Sequence, residues 1–145
     1  MPFFDTQSRD QLRNVYVEAW RKRLEGLPME PLEAQVADVI EFHPEYQAAL
    51  TKRENVLGRD YTPEGGQSNP FLHMGLHLAV RDQLATDRPV GIRRAFETIA
   101  KSKGDAHEAE HQLIECLAET LWEAQRSGLP PDEIAYLERV RKLSR

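Results

Sequence analysis

The chain has 145 residues, of which 40% are apolar and 30% are charged, and its formal net charge is −5. These values are typical of one globular domain and exclude a disordered chain. The acidic balance gives no basic surface for nucleic acid, and no stretch approaches the ~20 apolar residues that span a bilayer. We therefore expect a cytoplasmic protein without a membrane or nucleic-acid partner, while a homo-oligomer or a protein partner stays open.

The first half of the chain predicts helices followed by a loop. After Ser8, apolar residues recur at intervals of three and four, which is the pattern of one helix face, and Gly26 and Pro28 end that helix. A short second helix follows, and Pro44 stops it or bends it. Residues 53–68 contain glycines and a proline without usable periodicity. This segment predicts a mobile loop.

The second half of the chain predicts further helices with short connections. Asn69, followed by proline, has the residue type of an N-cap. A later helix ends at Gly104, and Asp105 caps the helix after it. A last amphipathic helix closes the chain. No alternating strand pattern appears, so we predict an all-α, single-domain helical bundle of about six helices over residues 1–145.

Four of the five histidines form two pairs with members four residues apart. His73 and His77 lie in one predicted helix, and His107 and His111 lie in another. Residues four apart share a face of a helix, so each pair could reach a single metal ion. Both pairs fall on or beside the apolar face of their helix. We therefore predict that the four imidazoles point inward, and that they meet if the two helices are neighbours.

Two carboxylates accompany these pairs. Glu110 falls near the middle of the apolar face of its helix, and Glu115 lies four residues beyond the second pair. The predicted metal site comprises His73, His77, His107, His111, Glu110 and Glu115. Imidazole-rich ligand sets suit zinc, iron, nickel or copper, and we expect zinc or iron. Four protein ligands would make zinc structural, whereas an open position would permit hydrolysis or oxygen chemistry, and the sequence does not decide between them.

One further histidine is a candidate for the site, whereas the single cysteine is not. His43 lies between Glu41 and Glu45 and could complete it, although we favour a surface position at a helix end. Cys116 is the single cysteine, so neither an intrachain disulfide nor a cysteine-based zinc site can form. Its position on the predicted helix indicates a peripheral thiol.

The segment HEAEH, residues 107–111, also matches zinc-protease signatures in both reading directions. A protease is disfavoured because no strand is predicted and Glu108 faces the polar side of its helix. Glu108 and His111 form one Glu-x-x-His pair, but a ferritin-like di-iron site needs a second such pair and two further glutamates. A haemerythrin-like or mixed histidine–carboxylate site stays open, with reserve ligands His111, Glu115, Glu110, Glu41 and Glu45.

The alternative to metal binding is a non-enzymatic protein-interaction module in which the histidines are hydrogen-bonded core residues. Binding would then use the last helix or the 53–68 loop. A third hypothesis is a pH-responsive histidine cluster. No serine lies in a nucleophile-elbow context and no phosphate-binding glycine loop is present, so no reaction or substrate is assigned.

Two runs of the second half resemble a bacterial family, domain of unknown function family 1841. The runs are NPFLHMGLHLAVRDQLATDRPVGI and HEAEHQLIECLAETLWEAQRSGLPPDEIAYLERVR. The resemblance covers most of the chain and implies a bacterial cytosolic protein. It places His73, His77, His107 and His111 inside the signature segments of the family. It implies no activity, no substrate and no metal.

Overall fold

A computed structural model describes residues 6–51 and 69–145 of the chain, with side chains from Asp10 onward. The described residues form seven α-helices and no strand, which confirms the all-α prediction. The helices are α1 (Thr6–Glu25), α2 (Pro31–Glu41), α3 (Pro44–Thr51), α4 (Pro70–Thr86), α5 (Ile92–Lys103), α6 (Ala106–Ser127) and α7 (Glu133–Ser144). Within this part of the chain, no helix has the length and apolar content needed to cross a membrane. The loop predicted at 53–68 lies outside the described residues.

The polypeptide divides within α4 into two compact units, Met1–Met74 and Gly75–Arg145. The first unit buries side chains such as Val36, Ile40 and Met74, and the second buries side chains such as Ile99 and Leu113. The prediction that residues 1–145 form a single domain stays a prediction.

In the first unit, α1 ends as the sequence predicts. Gly26 has φ 68, a left-handed conformation that glycine adopts without steric cost. The Gly26 N–H donates to the Arg23 carbonyl at 3.3 Å and the Leu27 N–H donates to the Lys22 carbonyl at 2.9 Å. This pattern is a Schellman motif, which satisfies the last carbonyls of the helix and turns the chain toward α2.

Ion pairs then join α1 to α2. The Lys22 ammonium lies 2.8 Å from a Glu33 carboxylate oxygen. The Arg23 guanidinium donates to Asp38 and to Glu41, each at 2.9 Å. Such partly exposed pairs contribute little free energy individually, so the buried apolar side chains carry most of the stability of this unit.

The second unit encloses a core between the end of α4 and helices α5, α6 and α7. Its buried members are Val80, Ile92, Ala95, Ile99, Ala109, Leu113, Ile114, Cys116, Leu117, Tyr136 and Val140. The Tyr136 hydroxyl donates to Gln83 at 2.6 Å, which connects α7 to α4. Burial raises the pKa of this phenol above its usual range. Tyr136 is therefore a neutral donor within the core at neutral pH.

The prediction that Cys116 is a peripheral thiol is wrong. Only 7% of the residue is exposed, and it belongs to the core of the second unit. The reason is that both α5 and α7 pack against α6, so α6 is covered over a wider arc than a single apolar face. Burial raises the pKa of the thiol, with smaller contributions from the Glu119 and Glu115 carboxylates.

The start of α6 is fixed by local chemistry. Gly104 ends α5 with φ 69, and Asp105 is the N-cap of α6. The Asp105 carboxylate accepts from the His107 N–H at 2.9 Å and from the Glu108 N–H at 3.4 Å. The predicted helix end at Gly104 and the predicted N-cap at Asp105 are both confirmed. This cap places His107 in the first turn of α6, one turn before His111.

Candidate metal centre

Three imidazoles of the second unit come together: His77 on α4, and His107 and His111 on α6. The ring centroid of His77 lies 5.3 Å from that of His107 and 4.9 Å from that of His111. The His107 and His111 centroids are 4.3 Å apart. Each residue offers a ring nitrogen within 4.8 Å of those offered by the other two.

These distances between ring nitrogens are not far above the distances between the ligand atoms of a single coordinated metal ion. Zinc–nitrogen bonds of about 2.0–2.1 Å put two tetrahedral ligands about 3.4 Å apart. Small side-chain rotations would bring the three nitrogens into that range. His77 is fully buried, whereas His107 and His111 are partly exposed. An ion could therefore reach the cluster from the α6 side.

Glu110 anchors one of these imidazoles. The Nδ1 atom of His77 lies 2.7 Å from Oε1 of Glu110, and the Arg81 Nε donates to the same oxygen at 2.9 Å. Glu110 is only 7% exposed. Burial by itself would raise the pKa of its carboxyl, but the hydrogen bonds from His77 and Arg81 outweigh that effect and hold the pKa below its ordinary value.

The ionisation of Glu110 determines the tautomer of His77. An ionised carboxylate can only accept hydrogen bonds. The Nδ1 atom of His77 must therefore carry the proton that it shares with Glu110. In the neutral ring, Nε2 then holds the lone pair that is able to bind a metal.

In the first unit, His73 lies beside another histidine. Its ring centroid is 5.0 Å from that of His43, and the His43 ring stacks on Tyr46 at 5.4 Å. We favoured a surface position for His43, and this is wrong, because only 3% of the residue is exposed. Pro44 begins a separate helix, α3, and the His43 ring donates from Nδ1 to the Val39 carbonyl at 2.8 Å in the corner between the helices. That His73 is a metal ligand stays a prediction.

The remaining candidate carboxylates are exposed. Glu115 is exposed on α6, and Glu108 is exposed as its predicted polar position requires. Glu41 and Glu45 are exposed as well, and Glu41 accepts a hydrogen bond from Arg23. Of the predicted acidic ligands, Glu110 is the one that the structure brings to the histidines of its unit.

The prediction from sequence missed Arg81. This residue follows His77 by four positions in α4, so the two side chains share a helix face. The same spacing singled out the histidine pairs and could have revealed Arg81 as a neighbour of the site. Its guanidinium adds a positive charge next to Glu110.

Comparison with known proteins identifies the family of this chain. The family model described as "Domain of unknown function (DUF1841)" matches residues 8–142, nearly the whole chain. The matched segment contains all three clustered histidines together with Glu110 and Arg81. No curated protein and no solved structure matches the chain.

Proposed function

Because this chain belongs to the family described as domain of unknown function DUF1841, a description that states no activity, we propose a function from its own residues. The protein binds one divalent transition-metal ion, with His77, His107 and His111 as ligands. One observation carries this proposal: three imidazoles from two helices offer nitrogens within 4.8 Å of one another.

The chemistry of the donor set supports the same proposal. Clustered imidazoles repel one another once protonated, whereas a bound cation turns the same cluster into a favourable arrangement. Neutral nitrogen donors suit zinc and iron, which are the ions that we propose. Cys116 is the single cysteine, so a cysteine-based zinc site is excluded and the imidazoles are the main nitrogen donors of the second unit.

The number of ligands bears on what the ion would do. Three imidazoles fill three of the four positions of a tetrahedral zinc site, and the fourth would take another side chain or water. We propose metal binding only and assign no reaction. A cytoplasmic location and a bacterial origin belong to the same proposal and are supported by the cysteine content and by the family resemblance.

Metal content tests this proposal directly. Untagged protein is purified without chelator, and its metals are measured by mass spectrometry. About one zinc or iron ion per chain is expected in the wild type, and almost none in the His107→Ala/His111→Ala double variant, because two of three ligands are removed. The Glu97→Gln variant is the control, since it changes an exposed carboxylate on α5 that belongs to no predicted ligand set, and it should keep the ion.

Absence of metal from the purified protein would contradict the proposal. If neither the wild type nor the control contains metal, and neither takes up added zinc or iron, the proposal is wrong. A thermal unfolding temperature that does not respond to either ion would agree with that result. This result would support the alternative, in which the histidines are hydrogen-bonded residues of a protein-interaction module.

A further inference from the structure

His77, one of the three proposed ligands, is hydrogen-bonded to Glu110, and Glu110 also accepts a hydrogen bond from Arg81. We propose that Glu110 is a positioning residue, held by Arg81, which orients His77 so that its Nε2 atom binds the metal. Glu110 is then not itself a ligand. This inference rests on the proposed function, because it describes how one ligand of that metal site is held.

The first support is that one oxygen receives two donors. Oε1 of Glu110 lies 2.7 Å from Nδ1 of His77 and 2.9 Å from Nε of Arg81. Both distances are those of strong, charge-assisted hydrogen bonds. That oxygen therefore already accepts two directional hydrogen bonds, and the carboxylate lies on the Nδ1 side of the His77 imidazole.

The second support is the geometry of metal-bound histidines in general. Such a histidine almost always donates its other ring N–H to a carboxylate or a carbonyl group. This contact fixes the tautomer and the ring orientation, and it raises the basicity of the ligating nitrogen. His77 has this arrangement, with Nδ1 toward Glu110, so that Nε2 points away from the carboxylate.

The third support concerns burial and charge. The side chains of His77 and Glu110 are 0% and 9% exposed, and that of Arg81 is 30% exposed. A buried carboxylate needs a partner of opposite charge, and Arg81 supplies it from the direction of solvent. Arg81 therefore holds the Glu110 carboxylate in this position, and Glu110 in turn holds His77.

Zinc titration of the full-length chain tests this inference. Zinc is first removed with a chelator, and the affinity is then measured by competition with an indicator of known affinity. The Glu110→Gln variant keeps an acceptor of the same shape but loses the charge, and its Kd should rise about 10- to 100-fold. The matched Glu97→Gln variant removes the same charge from an exposed position on α5 that belongs to no predicted ligand set, and it should leave the Kd unchanged.

Cobalt(II) spectra separate positioning from ligation. The visible absorption of bound Co²⁺ reports the number and type of its ligands. If Glu110 only positions His77, the Glu110→Gln variant should bind Co²⁺ more weakly with the same band positions and intensities. A changed spectrum at saturation would show that an oxygen ligand has been lost, and this would overturn the inference. An unchanged Kd in the variant would overturn it as well.

A measurement on the wild type covers the case in which Glu110→Gln does not fold. Long-range ¹H–¹⁵N NMR spectra distinguish the two nitrogens of each histidine. With zinc bound, Nδ1 of His77 should stay protonated and Nε2 should carry the shift of a metal-bound nitrogen. Zinc on Nδ1 of His77 would refute the inference while leaving metal binding intact, whereas a wild type that binds no zinc would refute the proposed function itself.

Discussion

Replacing Leu113 with alanine is expected to lower the free energy of unfolding by about 2–5 kcal/mol. Leu113 has 0% exposure and lies in α6, two residues after His111, within the core of the second unit. The substitution removes apolar surface and leaves a cavity that the surrounding helices can close only in part. Urea unfolding followed by circular dichroism measures the loss.

The control is a leucine that is not buried. Leu129 is 67% exposed just after the end of α6, so Leu129→Ala should change the free energy of unfolding by no more than about 0.5 kcal/mol. Equal effects at the two positions would mean that the core of the second unit is not packed as described.

Zinc is expected to stabilise the protein, and the gain should depend on the ligands. At a free zinc concentration about 100 times the Kd, binding to the native state alone adds about 2.7 kcal/mol to the free energy of unfolding. The His111→Ala variant should lose most of this gain, because it removes one of three donors. Thermal and urea unfolding with and without zinc give the comparison.

A destabilised variant with intact ligands completes this experiment. Leu113→Ala should begin from a lower stability and still show the zinc-dependent gain, because its side chain offers no donor. If His111→Ala retains the same gain as the wild type, zinc binds elsewhere and the proposed ligand set is wrong. If Leu113→Ala also loses the gain, loss of stability rather than loss of a ligand explains the result.

Features that depend on a few neighbouring residues could be predicted from the sequence. Gly26 and Gly104 end helices with positive φ, and Asn69 and Asp105 cap the helices that follow them. Each of these interactions joins residues within one turn, so the residue types suffice. The all-α class follows from the same local patterns, since the periodicity is that of helices wherever it is clear.

Burial was harder to predict because it depends on which helices pack together. Cys116 lies outside the main apolar face of α6 and is nevertheless buried, since two helices cover α6. His43 lies between two glutamates at a helix end, a setting typical of the surface. Its burial depends on how α2 and α3 pack at their corner, and Pro44 predicts the break between the helices but not this packing.

In the candidate site, too, local features could be predicted from the sequence, whereas tertiary contacts could not. The spacing of His107 and His111 predicts their shared face, and the position of Glu110 on the apolar side predicts that it points inward. Its hydrogen bond to His77, however, joins residues 33 positions apart. Helical spacing does not specify such a tertiary contact, nor does it show which histidine of the α4 pair makes it.

X-ray absorption at the zinc edge, on protein loaded with one equivalent of zinc, tests the central claim most directly. The account predicts nitrogen ligands at about 2.0–2.1 Å, with the outer-shell scattering of three imidazoles. The double variant His107→Ala/His111→Ala should lose this imidazole signal. A first shell of oxygen atoms alone in the wild type, without imidazole scattering, would contradict a metal site built from these histidines.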